Sequence, residues 1–438
     1  MTQRSLTTRG FLAGIALLTF AHTTCVAQTL SDAVLYAFRQ GELFDGKFGK
    51  FAEVQHAVSA ALTHCGKPGI AVDGRFGSAT LQAIKSLVNC PAIKPHLPDD
   101  SPAVHGVIST ALWRLLLPAS SLPSVAQRAQ TLVLTHEDTD YDSLEWNFCQ
   151  SKGPDGKLWS ADNPAQPCYT NDPTSYITWG PRGATAGGGQ EVQWILWRAE
   201  QQDHTLISTA FGTEAAAVRR FMTLPDHAAR QFLCEVYVDK PRKAQWTHAF
   251  ALFGKLPSVQ KLYDHHYLSL ASDGAKMQDF YRLYERLGVK PTEVDYAFFL
   301  DRATQSSPPA PNETTAATLT KWLAKMKLAH TPANLRRAIA ASFPTPYQKF
   351  DRLGRDMAFI VDAVSEARLT KTERSAWQNR GALSAGSVGF SDERPAPYLS
   401  VISEPSGPRF DGAATPAAAT SCPAAVLNPQ RPLRVRGV

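Results

Sequence analysis

The chain has no CxxC pair, no concentrated basic block, and no apolar run near membrane-spanning length after its first residues. The missing CxxC leaves a zinc-ribbon or thioredoxin-type site without support. The net charge of +6 is spread along the chain, which suits contact with an anionic polymer but gives no nucleic-acid footprint. No later stretch reaches the roughly 20 apolar residues of a spanning helix, so no membrane span is expected once the leader is removed. The glycine-rich stretch "YITWGPRGATAGGGQEVQW" (176–194) also lacks the Lys-Ser/Thr that completes a phosphate loop. Gln190 and Glu191 stand there instead, and a carboxylate would repel a phosphate.

At the front, Arg4 and Arg9 precede an apolar run from Phe11 to Phe20 and then small residues ending at Val26-Ala27. That is the layout of a secretory signal over 1–27, so a periplasmic or secreted protein is expected. With Cys25 removed, an even number of cysteines remains: Cys65, Cys90, Cys149, Cys168, Cys234 and Cys422. In an oxidising compartment these read as disulfides, and the spacings suggest Cys65 with Cys90 and Cys149 with Cys168. Cys422 would pin the C-terminal segment if it found Cys234.

Residues 30–118 alternate helical periodicity with one glycine turn. Val54, Ala57, Val58, Ala61 and Leu62 make a helical stripe ended by Gly66, and Asp73-Gly74 with Gly77 predicts a turn. Ser78 or Thr80 would then cap a helix through Leu81, Ile84 and Leu87. A Pro/Ser-rich joint is expected over 119–128, and a larger, mostly helical domain over 129–403 with strand signals concentrated around 174–187. Residues 404–438 are Pro/Ala-rich and are expected not to fold. The fold class is mainly α: a small three-helix domain plus a larger helical domain with one β-hairpin.

The motif "VDGRFGSATLQAIKSL", followed by "ISTALWRLL", resembles the three-helix peptidoglycan-binding domain of bacterial wall hydrolases. In the larger domain, "AQRAQTLVLTHEDTDYDSLEW" delivers Glu137 at a helix end behind Leu132, Val133 and Leu134. A carboxyl held there against apolar packing is suited to keep a proton for a leaving sugar oxygen. His136, Asp138, Asp140 and Asp142 read as a loop start or a cap; the further ligands that a metal would need are not apparent. "TSYITWGPRGATAG" reads as strand, turn and strand, with Tyr176 and Trp179 offering ring faces to sugar.

A helix-borne glutamate, then a glycine-rich hairpin, then a helical bundle resembles the lysozyme superfamily and most closely the family 46 chitosanases. The resemblance implies Glu137 as general acid and Thr185 as a residue that positions water, and makes Arg182 and Asp264 candidate substrate contacts. The family's hairpin also carries a catalytic aspartate, and this chain has Gly180 at that position. Glu191, at the start of the following helix, is the candidate replacement, with Asp172 as another option. The expected activity is cleavage of a β-1,4-linked aminosugar chain by a monomer without cofactor or metal. Peptidoglycan is the favoured substrate and chitosan the alternative; the rival reading is a wall-binding protein that has lost catalysis.

Overall fold

The structure, a computed structural model, describes residues 32–38, 51–137, 139–160, 162–269, 273–305, 307–344, 349–364, 366–399, 407–408 and 422–431. The expected signal segment 1–27, with Cys25, lies outside the described residues, as does Asp138.

The first helices are α1 (Phe51–His64), α2 (Ser78–Val88) and α3 (Thr110–Leu116), with a short antiparallel pair of β1 (Val34–Tyr36) and β2 (Ile108–Ser109) beside them. Gln55 of α1 organises the glycine turn: its amide donates to Asp73 and Thr80 and accepts from the backbone N–H groups of Asp73 and Gly74. Phe76 is thereby turned fully inward. The expected cap of α2 differs: the N-cap is Gly77, with no side-chain bond, because Thr80 is engaged with Gln55 and the Arg75 carbonyl.

α4 (Val125–Glu137) follows after a short turn, and then β3 (Leu144–Trp146), β4 (Ser175–Trp179) and β5 (Ala184–Gly187) form an antiparallel sheet in that order. The hairpin thus gains a third strand, Leu144 pairing with Trp179 and Trp146 with Ile177. The helices α5 (Glu191–Gln202), α6 (Thr205–Phe211), α7 (Ala215–Phe221), α8 (Asp226–Val238), α9 (Lys240–Gly254) and α10 (Pro257–Leu268) pack around it. α9 buries Trp246, Ala249, Phe250 and Phe253 at helical spacing. α11 (Asp273–Arg286), α12 (Glu293–Gln305), α13 (Glu313–Met326), α14 (Pro332–Ser342), α15 (Lys349–Ala358), α16 (Val361–Val364) and α17 (Lys371–Asn379) complete the bundle, and α18 (Ala424–Leu427) closes the described chain. The molecule is mainly helical with little strand.

Apolar residues of α1–α3 share one continuous core with α4 and α11–α14, and Leu122, Val125 and Ala126 of the expected joint pack against it. The joint is therefore part of the packing. A second core gathers the sheet, α5–α10 and the docked C-terminal residues Cys422 and Val426. Disulfides link Cys65 to Cys90, Cys149 to Cys168 and Cys234 to Cys422. The last corrects the expectation of an unfolded tail: residues 422–431 are docked, and Gln430 exchanges backbone bonds with Cys168 and Thr170. No helix among the described residues is long and apolar enough to cross a membrane.

Candidate functional site

α4 buries Leu132, Val133 and Leu134 completely and ends at Glu137, whose side chain keeps 23% exposure. Its neighbour corrects the expectation of purely apolar packing: Arg355 Nη2 lies 2.7 Å from Glu137 Oε1. The same guanidinium grips Asp301 of α12, 3.0 Å from Nε and 2.5 Å from Nη2. Arg352 also pairs with Asp301 and, at 3.0 Å, with Asp356, which receives Arg302 at 2.9 and 2.5 Å. Three buried guanidinium groups thus face two buried carboxylates, and Glu137 is the outermost anion of the cluster. Unpaired buried charge is strongly unfavourable, so each member depends on the others.

Burial alone would push Asp301 up, but Arg352 and Arg355 hold it well below the usual carboxylate range. Burial lowers His136, next to Glu137, and Arg355 adds to this, against the opposing pull of Asp301. For Arg355, the burial cost is outweighed by Asp301 and Glu137, which raise it above its usual value.

In the hairpin, Thr178 pairs with Thr185 across the strands. Thr185 donates its backbone N–H to Glu191 Oε2 at 3.0 Å, with its hydroxyl 3.4 Å from the same oxygen. Glu191 opens α5 directly after Gln190, which takes a left-handed conformation with φ 52° and swings the chain into the helix. Thr185 and Glu191 are therefore brought together. Asp172 instead closes a local turn, accepting from the N–H and hydroxyl of Thr174 at 3.1 and 2.7 Å.

Gly180 has φ +78°, and a Cβ built there would lie 2.6 Å from the Tyr263 ring. No side chain fits without displacing Tyr263. The Tyr263 hydroxyl in turn clamps the hairpin, accepting from the N–H groups of Arg182 (3.0 Å) and Ala184 (3.3 Å) and donating to the Trp179 carbonyl (3.1 Å). The side-chain space at Gly180 is thus filled by a tyrosine that serves the backbone.

The expected ring faces are a second correction. Trp179 is fully buried, donates to the Tyr141 carbonyl at 2.8 Å and packs against Phe250, Phe253 and Tyr263. Tyr176 is buried beside Phe148, with its hydroxyl on Asp226 at 2.9 Å. Both rings are buried strand residues that fill the core, from opposite faces of β4, the commoner role for aromatics in strands.

Arg182 is also buried, and Nη1 meets Asp273 at 3.1 Å. Burial would lower it, but Asp273 and Asp264 together raise it above its usual value. Asp264 accepts from the Tyr141 hydroxyl and the Gln130 amide, both at 2.6 Å. It lines a cleft of about 640 Å³ together with Gln127, Gln130, Asp140, Tyr141 and Lys255. Burial raises its pKa, against the opposing effects of Arg182 and the two hydrogen bonds.

Asp273 joins the halves of the site. The oxygen that meets Arg182 also accepts from Thr304 at 3.2 Å, and Thr304 lies one helical turn beyond Asp301 on α12. A chain of contacts thus runs from Glu137 through Arg355 and Asp301 along α12 to Asp273, Arg182 and the hairpin that carries Thr185. Sequence reading missed Arg352, Arg355 and Asp356. The available signal was "DRLGRD", which sets charges at helical spacing beside apolar residues that need burial. Among the described residues, no group of three or more His, Cys, Asp or Glu side chains could hold a metal ion. No protein-family model matches the chain, and no curated protein or solved structure matches it either.

Proposed function

We propose that the protein is a periplasmic or secreted glycoside hydrolase that cleaves β-1,4-linked aminosugar chains, with peptidoglycan as substrate. The observation that carries this is the placement of Glu137: a partly exposed carboxyl at a helix end, supported from behind by Arg355 and Asp301 and linked through Asp273 to the hairpin. Glu137 passes a proton taken up from solvent to the glycosidic oxygen as the C1–O bond breaks, and the carboxylate left behind re-forms its ion pair with Arg355. A water held at Thr185 attacks C1, and its proton passes to Glu191. One carboxyl as acid and one as base is the division of labour of an inverting glycosidase. Peptidoglycan is favoured over chitosan by the resemblance of residues 30–118 to wall-binding domains. The three disulfides are compatible with an oxidising compartment.

A second reading, a non-catalytic wall-binding protein, is favoured by Gly180, where Tyr263 leaves no room for the aspartate of the family pattern.

The deciding experiment is reducing-end release by the purified chain, disulfides intact, on peptidoglycan and on chitosan. Glu137→Gln is expected to lower turnover by about 10²–10⁴-fold with folding unchanged, the usual contribution of a positioned acid. Glu191→Gln is expected to lose activity too, while binding substrate normally. No release from either polymer, with wall sedimentation retained, would replace the hydrolase with the binding-only reading.

A further inference from the structure

Away from the Glu137 site, the outer face of α11 forms one wall of a hollow of about 580 Å³. Its other walls are the Gly288–Pro291 loop and the segment ending at Tyr398 and Leu399. The volume falls in the roughly 300–1,000 Å³ range of ligand pockets. The walls are preformed by bonds that the site already described does not use. Tyr281 donates to the Pro397 carbonyl at 2.9 Å, Ala396 N–H donates to the Pro291 carbonyl at 3.0 Å, and Glu293 N–H donates to the Arg394 carbonyl at 3.0 Å. On this fixed wall, Tyr398 is 90% exposed, the most exposed of the large apolar side chains among the described residues.

We propose that this hollow is a second glycan site, which takes a short run of β-linked N-acetylhexosamine with Tyr398 as its stacking platform. The proposal rests on the reading of the chain as a glycan-acting protein. An aromatic ring left in water beside a concave apolar surface matches the C–H-rich face of a pyranose. Val289, Pro291 and Leu399 supply that apolar surface. The remaining lining matches the sugar's edge: Arg282 and Lys290 donate, Glu285 accepts, and Gln278 does both. Hydroxyl and acetamido groups need donors and acceptors together. An acyl chain would leave this polar rim unpaired, and a polyanion would meet Glu285.

The test uses the full chain carrying Glu137→Gln, so that ligand is bound without turnover, titrated calorimetrically with N-acetylglucosamine oligomers and with peptide-free peptidoglycan strands. Two classes of site are expected, and adding Tyr398→Ala should weaken one of them at least tenfold, while Tyr398→Phe retains it. Response to both ligands identifies the shared N-acetylhexosamine chemistry, and response to one names the source. In the otherwise unaltered protein, Tyr398→Ala should leave cleavage of short soluble oligomers unchanged and slow cleavage of insoluble polymer several-fold. Identical titrations with and without Tyr398→Ala, or binding of unrelated peptides in place of sugar, overturn the proposal. A chain without turnover but with Tyr398-dependent sugar binding would overturn the hydrolase reading and leave this site standing.

Discussion

Around α12 and α15, buried Arg302, Arg352 and Arg355 face Asp301 and Asp356, whereas around the hairpin the interior is filled by Trp179, Trp246, Phe250, Phe253 and Tyr263. Both regions are buried, yet they are held by different physics. Rings bury apolar area with loose directional demands, and edge-to-face contacts such as Trp179 on Tyr263 add only modestly. Buried ion pairs contribute little net stability against apolar packing, but they fix the position of each member, because any displacement leaves a charge unpaired. The charged region lies directly behind Glu137 and holds its carboxyl through Arg355. The aromatic region lies behind the hairpin and holds it by shape rather than charge.

Breaking the charged region should have the largest effect. Asp301→Ala leaves Arg352 and Arg355 facing each other without their shared anion, and is expected to destabilise the fold by about 3–5 kcal/mol, read by denaturant unfolding. A loss below about 1 kcal/mol would mean that the cluster is wet and the contrast between regions is false. Next comes the hairpin. Gly180→Asp places a side chain at φ +78° against Tyr263, and roughly 2–4 kcal/mol is expected from strain and overpacking together. No gain of glycan cleavage should accompany it; a gain would show that Tyr263 yields and that the site accepts an aspartate there.

The smallest effect is a pH slope. His136 is lowered in the folded state by burial, so below about pH 6.5 the unfolded chain takes up a proton that the folded chain refuses. Stability should therefore fall as pH drops from 7 toward the folded value, and His136→Gln should flatten this part of the curve. Asp301 acts in the same direction at lower pH, since its depressed value stabilises the fold above the unfolded carboxylate range and that stabilisation is lost on acidification. An unchanged slope in His136→Gln would assign the acid response elsewhere.

Elements with strong local signals were legible. The α4 stripe and its terminal Glu137, the 176–187 hairpin and the Asp73-Gly74 turn follow from periodicity and turn chemistry alone. Trp179 was misread because β4 is buried on both faces, Tyr176, Ile177 and Trp179 alike, and strand alternation does not reveal that a sheet is covered on both sides. Nothing local reveals that Asp301 is bonded to Arg355, 54 residues away, or that Arg355 reaches Glu137.

The sequence by itself determined the helical class, the turn at Gly74 and the arrival of a carboxyl at the end of α4, because each depends on residues within a few positions of one another. The tertiary structure decided which anion and cation share a buried space, that Tyr263 occupies the side-chain space at Gly180, and that Thr185 meets Glu191. These depend on which surfaces pack together, and pairing of buried charge and exclusion of volume are properties of the assembled core.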